Sequence, residues 1–330
     1  FKQFHRGENP RDVGFVIIEN AWKPAQRPYH KQKLALILAN MRNFALEQAR
    51  CGISIKYVVG NDSYSRLLES VCEEVGVITI AKPAERELGN DLKKLVDEGR
   101  VKLTDHPGWL TDLELFKRSV KADGRFRMDA FYRLARRRTG VLMSEDKPVG
   151  GKFSFDSENR LPWKGTPPAP KPLIFPSDDI KDEVCDLVER KFGDHPGSID
   201  KHSLPCTSDD SRNLWSWAKE NCLESFGPFE DAMSSQSSGL FHSRVSALLN
   251  IGRLTPRQLI NDVLDLKINF SSKEGFIRQI LGWREFVHHV HEFTDGFRFV
   301  NPDAPGFYGN AEQGAGHGPY ESHAEPGASP

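Results

Sequence analysis

Residues 274–287, with the sequence EGFIRQILGWREFV, combine polar and apolar side chains in a way that indicates a binding site on a helix. Apolar residues recur at helical spacing, and polar or amphipathic side chains lie among them: Arg278, Gln279, Trp283, Arg284 and Glu285. Charged and polar groups are costly to bury unless a partner satisfies them. We therefore predict that this helix faces a polar ligand, another segment of the protein or a nucleic acid.

Residues 240–256 (LFHSRVSALLNIGRLTP) contain a second candidate site, a turn that opens a helix. A helix N-terminus attracts anions because its first N–H groups are free and its dipole favours negative charge. Ser243 and Ser246 add hydroxyl donors, and Arg244 adds a positive charge. The segment predicts either an anion-binding turn or an ordinary serine-capped helix.

Residues 125–160 form a third group, with nine Lys or Arg residues against five Asp or Glu. The helix predicted at its start carries a basic ridge that includes Arg133, Arg136 and Arg137, and Lys152 follows in a Gly-rich turn. This ridge is interpreted either as a solvated, ion-paired helix face or as a surface for an anionic partner.

The chain has 330 residues, a net charge of −1, 38% hydrophobic residues and 28% charged residues. These values are typical of a globular protein that is long enough for two domains. Any anionic partner must therefore meet a local basic patch, since the overall charge is close to zero. No run reaches 18 apolar residues and no signal-peptide pattern is present. We expect a cytoplasmic monomer without a membrane span.

The cysteine and histidine residues do not form a recognisable metal-binding pattern. The five cysteines are odd in number and include no C-x-x-C pair, which argues against a disulfide framework. His288 and His291 share a helix face beside His289, a spacing that can bind a metal ion. Because no third ligand is evident nearby, we expect no metal site in this chain.

The first part of the chain alternates apolar runs with amphipathic segments. Strands are predicted at 13–18, 53–59, 77–80 and 101–104. Helices are predicted at 30–50, 63–74 and 85–97. This alternation predicts a Rossmann-like parallel sheet covered on both faces, with ligands beyond the carboxyl ends of its strands. Neither G-x-G-x-x-G nor G-x-x-x-x-G-K-[ST] is present. The polar opening of the chain indicates that the first strand of the sheet is missing.

The second part of the chain carries helical patterns only. Residues 145–178 are a long connection rich in Pro and Gly, which block helices. Further helices are predicted at 179–192, 211–226, 243–250, 255–266 and 272–291. We therefore predict an α/β domain followed by an all-α domain. The predicted divisions are an α/β domain at 1–125, a basic helix and linker at 126–178, a helical domain at 179–300 and a flexible Gly/Pro-rich tail at 301–330.

The three groups of residues together resemble the photolyase/cryptochrome family. The string GGKFSFD at 150–156 is similar to the interdomain linker of the photolyase-related proteins, the prokaryotic (6-4) photolyase-like branch that carries an iron–sulfur cluster. The turn that begins at His242 is similar to the family's flavin-diphosphate turn, which has Thr first in many members. Residues 274–287 resemble the family's flavin-site helix, and the resemblance extends over about residues 10–300.

This resemblance implies a light-dependent DNA repair photolyase, a carbon–carbon lyase. Reduced FAD in the helical domain transfers an electron to a (6-4) photoproduct or pyrimidine dimer in UV-damaged DNA. A lumazine-like antenna pigment in the α/β domain passes excitation to the flavin. The alternatives are a cryptochrome-like blue-light photoreceptor without repair activity, or an inactive fragment of either protein.

The resemblance also implies roles for individual residues. The FAD contacts would be Phe229, His242, Ser243, Arg244, Val245, Ser246, Phe276, Gln279 and Arg284. The catalytic residues between flavin and lesion would be Gln279, Trp283 and Arg284, with Trp283 able to stack on an extruded base. The DNA contacts would be Arg133, Arg136, Arg137, Lys152 and Trp283, and the antenna contact would be Glu19. The alternatives are a core tryptophan beside an Arg–Glu pair, and for Glu19 a plain loop carboxylate.

Family members continue far beyond the flavin-site helix. Their continuation holds the rest of the flavin pocket and the cysteines that bind a [4Fe–4S] cluster, and none of the five cysteines here falls at those positions. We therefore expect a truncated protein with an incomplete FAD-binding domain.

Overall fold

The computed structural model describes residue 9 and residues 12–122 and 124–298. Strands and helices alternate in its N-terminal part. The elements are β1 (Gly14–Asn20), α1 (Trp22–Gln26), α2 (Lys31–Arg50), β2 (Ser54–Gly60), α3 (Tyr64–Val75), β3 (Ile78–Ala81), α4 (Arg86–Asp97), β4 (Val101–Thr104) and α5 (Leu113–Lys117). The tail predicted at 301–330 lies outside the described residues.

The strands form two parallel pairs. Gly14 lies opposite Ser54 in the β1–β2 pair, and Ile78 lies opposite Val101 in the β3–β4 pair. The predicted parallel pairing of the strands is confirmed, and within the described residues the ladders form two separate pairs. One apolar core still joins them, since Val16 of β1 packs in the same cluster as Ile78.

Apart from a short hairpin, the regular elements in the rest of the described chain are helices, joined by long irregular connections. Its helices are α6 (Met128–Thr139), α7 (Asp179–Lys191), α8 (Ser208–Asn221), α9 (Leu223–Phe226), α10 (Ser246–Asn250), α11 (Pro256–Asp265), α12 (Phe270–Ile277) and α13 (Glu285–Phe293). A π-helix at Arg278–Arg284 joins α12 to α13 without a break. A short hairpin, β5 (Met143–Ser144) with β6 (Lys147–Pro148), and two 3₁₀ turns, Asp156–Glu158 and Lys201–Ser203, lie in the connections. The chain is therefore α/β first and helical afterwards.

Two apolar cores hold the helical part together and attach it to the α/β part. The larger core contains Phe116, Phe131, Trp215 and Phe276, all nearly inaccessible to solvent. A second core packs α2 against α7. Arg253 adds a polar link, since its Nε donates to Asn40 Oδ1 of α2 at 2.8 Å.

Two further observations concern the molecule as a whole. None of the described helices is both long enough and apolar enough to cross a lipid bilayer. All five cysteines are free thiols, and only Cys51 is exposed.

Candidate functional site

A cavity of about 960 Å³ opens between the linker, the start of α6, the turn before α10 and the π-helix. It brings together residues from all three sequence groups, although they lie far apart in the chain. The predicted site residues that line it are His242, Ser243, Arg244, Val245, Ser246, Phe276, Gln279, Trp283 and Arg284. The volume is in the range of cofactor sites, roughly 300–1,000 Å³.

The side chains of the turn before α10 alternate in solvent exposure, although all five line the cavity. Ser243 and Val245 are buried, whereas His242, Arg244 and Ser246 are exposed. The helix begins at Ser246 rather than at the predicted residue 243 and has only five residues. Its dipole is correspondingly small, so side chains must provide most of the attraction for an anion.

Arg244 is the main cation of this turn. Its φ of 60° is in the left-handed region, which costs a non-glycine residue roughly 1–2 kcal/mol and is found most often at functional sites. No ion pair of Arg244 occurs within the described residues. A Cβ on Gly239 would lie 1.8 Å from Arg244 Nη2, so glycine leaves room for the guanidinium. The turn thus holds an unneutralised positive charge at the cavity.

The π-helix carries the polar side chains of the 274–287 segment. Sequence periodicity predicted a continuous α-helix here, and the structure instead shows seven π-helical residues. Such insertions are rare and are frequent at functional sites. Gln279, Trp283 and Arg284 all line the cavity from this stretch.

Arg278 organises a network of charges that the sequence analysis did not assign to the site. The side chain is only 3% exposed. Its Nη1 lies 2.9 Å from Asp156 Oδ1 of the linker, and its Nη2 donates to Glu230 Oε2 at 3.0 Å. The amide nitrogen of Gln279 donates to the other oxygen of Glu230. The network therefore fixes the base of the cavity and orients Gln279.

Two buried carboxylates in this network have perturbed acidities. Burial raises the pKa of Glu230 to about 7, against the opposing effect of the Arg278 charge. Burial also raises the pKa of Glu274, which accepts a hydrogen bond from the Phe155 N–H at 3.0 Å. The i,i+4 spacing of Glu274 and Arg278 could have indicated this pairing from the sequence.

The aromatic residues of the site differ in exposure. Phe276 is buried and stacks on Trp215 with ring centroids 5.6 Å apart. Trp283 is 37% exposed and contacts Phe286 edge to face at 6.1 Å. Phe276 can therefore supply an apolar wall, whereas Trp283 presents a ring face near the cavity mouth.

Arg284 is held by the loop after β4. Its Nη1 donates to the carbonyl of Gly108 at 2.6 Å, and the guanidinium lies 3.9 Å from the centre of the Trp109 ring. Burial lowers the pKa of Arg284. The side chain lines the cavity but already has protein partners.

Phe229 lies away from the cavity. Its ring stacks on Phe241 at 5.3 Å in a small separate core. The FAD contact predicted for Phe229 stays a prediction without support from the cavity, which the neighbouring Glu230 and Asp231 line.

The basic ridge on α6 is only partly exposed. Arg136 is fully buried, and its guanidinium donates to the carbonyls of Phe153 at 2.8 Å and of Leu142. A fully buried guanidinium has no surface that a phosphate could reach, so we withdraw the DNA contact predicted for Arg136. Arg133 and Arg137 are exposed and lie over the Phe153 ring, and Lys152 is also exposed.

Glu19 lies at the carboxyl end of β1 and lines a second cavity of about 340 Å³. Its carboxylate accepts hydrogen bonds from Arg42 Nε at 2.8 Å and Arg42 Nη2 at 2.7 Å, and from the Tyr57 hydroxyl at 2.6 Å. These bonds lower the pKa of Glu19 despite its burial. Glu19 is therefore an ionised wall of this cavity.

Comparisons with known proteins agree with the geometry. The family model described as deoxyribodipyrimidine photo-lyase-related protein matches residues 2–204. The (6-4) photolyase of Agrobacterium fabrum is 29% identical over 336 residues, covering 92% of this chain and 63% of that protein. The chain thus spans less than two thirds of the length of that relative.

Two uncharacterized proteins of Acanthamoeba polyphaga mimivirus are also similar. One is 38% identical over 71 residues, covering 20% of this chain and 54% of the viral protein. The other is 27% identical over 136 residues, covering 39% of this chain and 69% of the viral protein. Because the family model matches more than half of the residues, the chain belongs to the family of deoxyribodipyrimidine photo-lyase-related proteins.

Proposed function

We propose that this chain forms the antenna domain and part of the flavin domain of a light-dependent DNA repair photolyase acting on (6-4) photoproducts. The observation that carries the proposal is the cavity of about 960 Å³, which is lined by all three groups of residues that resemble the family. The similarity to a (6-4) photolyase favours that lesion over a pyrimidine dimer.

The residues at this cavity fit FAD. Arg244 supplies an unneutralised cation, and Ser243 and Ser246 supply hydroxyl donors, which suit a diphosphate. Phe276 gives an apolar wall, and Gln279, oriented by Glu230, gives an amide at the base of the cavity. Bound FAD would supply the light-driven electron transfer to the lesion.

The protein's own contribution would be positioning and exclusion of water. The Arg278 network holds the cavity base rigid, and burial around Phe276 keeps that side dry. Trp283, partly exposed at the mouth, would stack on a base extruded from the duplex. Arg284 would position the rim, since its guanidinium is anchored to the Gly108 carbonyl.

UV-damaged DNA would bind mainly through phosphate contacts. Arg133, Arg137 and Lys152 are exposed on α6 and the linker that follows it, and other residues of both segments line the cavity. Such binding is salt-dependent because each neutralised phosphate releases counterions. Because the overall charge is only −1, electrostatic attraction to DNA must come from this local basic patch.

The family resemblance implies two further cofactors, an antenna pigment and an iron–sulfur cluster. A lumazine-like antenna is proposed for the Glu19 cavity, whose position beyond β1 and β2 and whose size suit a small heterocycle. No iron–sulfur ligand set is proposed, because the group of metal-ligand side chains found in the described residues contains no cysteine.

FAD binding is tested by titrating the purified chain with FAD and following flavin fluorescence. Arg244→Gln should weaken binding by tenfold or more, since a charge-assisted hydrogen bond contributes about 1.5–3 kcal/mol. Arg137→Gln, which changes an exposed arginine outside the cavity, is the matched control. No binding by the unaltered chain, or equal affinity in both variants, would contradict this flavin site.

Repair is tested by comparing binding to an oligonucleotide with a (6-4) photoproduct and to the intact sequence. We expect a preference for the damaged strand that Trp283→Ala removes while phosphate binding persists. Equal binding to both oligonucleotides would contradict repair and favour a photoreceptor.

A further inference from the structure

Three metal-ligand side chains cluster on α13, away from the flavin cavity. His288, His289 and Glu292 each offer one donor atom, and these atoms all lie within 4.8 Å of one another. They line a separate cavity of about 510 Å³ that also includes Asp105 and Asp112. No metal site was expected from the sequence, because no third ligand was evident beside the histidines. Glu292, one helical turn after His288, is that third group.

The protonation of His289 can be assigned from its surroundings. The Thr111 hydroxyl donates to Glu285 Oε2 at 2.6 Å, and that carboxylate also accepts the backbone N–H groups of Leu110 and Thr111. The single hydroxyl proton is therefore used, so Thr111 Oγ1 must accept from His289 Nε2, 2.9 Å away. This arrangement places the proton on Nε2 and leaves Nδ1 with a free lone pair.

This lone pair has no hydrogen-bond partner among the described residues. His289 is only 2% exposed, and its Nδ1 is buried without a hydrogen bond. The nearest carboxylate oxygen, Glu292 Oε2, lies 3.8 Å away. Two electron-rich atoms therefore face each other in a buried position, an arrangement that a cation between them would stabilise.

His288 completes the cluster in a fixed orientation. Its ring stacks on Trp109 with centroids 3.7 Å apart and an interplanar angle of 2°. Lys82 pairs with Glu292 Oε1 and leaves Oε2 directed toward His289.

We propose that His288, His289 and Glu292 bind a divalent zinc ion whose remaining coordination position faces the cavity. Two imidazoles and one carboxylate are a known ligand set for zinc with an open position. The Glu285–Thr111–His289 chain of hydrogen bonds is the kind of outer support that orients a metal-binding histidine. All three ligands belong to α13, and the loop at residues 105–112 contributes the Thr111 hydroxyl that supports His289.

The competing explanation is a protonated His289 paired with Glu292. That ion pair would also satisfy both groups, but it needs no metal and makes no use of His288. The two explanations differ in what they predict for added zinc and for substitutions around the cluster.

The test is equilibrium dialysis of the purified full chain against zinc, followed by elemental analysis, with Co²⁺ absorption reporting coordination. We expect one ion per chain and the visible bands of a low-coordinate Co²⁺ site. Thr111→Val, which removes only the outer support, should lower zinc affinity about 10–100-fold. His288→Gln and Glu292→Gln should lower it further, because each removes a ligand.

His291→Gln is the matched control, because His291 lies on the same helix and cavity but outside the cluster. It should leave zinc affinity unchanged. Circular dichroism of every variant shows whether the fold is kept. A folded chain that binds no zinc, or zinc binding that is the same in all variants, would overturn the proposal. A chain that binds zinc but does not bind FAD would contradict only the proposed flavin site.

Discussion

Glu230 should make the stability of the protein depend on pH between about 4.5 and 7. Burial raises the pKa of this carboxyl from 4.5 to about 7, so the folded state holds a proton that the unfolded chain releases. Stability from this group is therefore complete below pH 4.5 and declines until the pH exceeds about 7. The pKa of Glu230 is raised by about 2.5 units, and at ~1.36 kcal/mol per unit this corresponds to a loss of about 3 kcal/mol in the free energy of unfolding.

Glu230→Gln isolates this effect, because glutamine keeps the shape of the side chain but does not titrate. The free energy of unfolding is measured by urea denaturation at several pH values for both proteins. The variant should gain about 3 kcal/mol relative to the unaltered chain as the pH is raised from 4 to 8. Asp231→Asn, at the exposed neighbouring position, serves as the control.

A constant difference between Glu230→Gln and the unaltered chain across that pH range would refute the reasoning. It would mean that the Arg278 ion pair and the Gln279 hydrogen bond fully offset the burial of Glu230. A decline in the difference toward high pH would show that the pairing exceeds the cost of burial.

Three further predictions compare matched substitutions by urea denaturation. Gly227→Ala should destabilise the protein by about 1–3 kcal/mol, because its Cβ would lie 2.7 Å from the Ser272 Cα. Gly89→Ala, inside α4, meets nothing within 4 Å and should stabilise the protein by about 0.5–1 kcal/mol. Equal effects of the two substitutions would contradict this reasoning. Arg136→Gln should lower the free energy of unfolding by several kcal/mol and Arg137→Gln by roughly 0.5 kcal/mol or less, since only Arg136 is buried. If Arg136→Gln left stability unchanged, the hydrogen bonds of Arg136 to backbone carbonyls would contribute little. Glu19→Gln should lower the free energy of unfolding by about 3–5 kcal/mol. Glu183 contacts the same Arg42 from an exposed position, so Glu183→Gln should lower it by about 0–1 kcal/mol. Similar losses would show that burial of the Glu19 carboxylate is unimportant.

Local patterns in the sequence were sufficient for most of the regular elements. His30 and Ser63 were predicted at or next to helix starts, and their side chains accept the capping hydrogen bonds. Thr255 begins the helix predicted at 255–266 and caps α11, with Pro256 at its first position. Caps and apolar periodicity act within a few residues, which is why they can be recognised without the tertiary structure.

Features that depend on distant contacts could not be predicted in the same way. The Arg278–Glu230 pair joins residues 48 positions apart, and the strand ladders likewise join residues far apart in the chain, such as Gly14 and Ser54. The apolar residues around the π-helix are spaced as in an α-helix, so the sequence pattern alone did not distinguish the two kinds of helix.

The misplacement of Arg136 has a different origin. It lies four residues after Tyr132, a spacing that puts both side chains on the same, buried face of α6. The charge of Arg136 suggested exposure, although its position suggested burial. Position was the better guide, because backbone carbonyls of the following loop and linker were available to bind the guanidinium.

The π-helix fixes the rotational phase of everything that follows it. Removing one residue between 278 and 284 could restore an uninterrupted α-helix, but it would turn α13 by about 100° around its own axis. Glu285 would then leave the N–H groups of Leu110 and Thr111, and His289 would leave the Thr111 hydroxyl. The number of residues in this stretch is therefore constrained as strictly as their identities, and a deletion there should disturb the loop at 105–112 without breaking the helix.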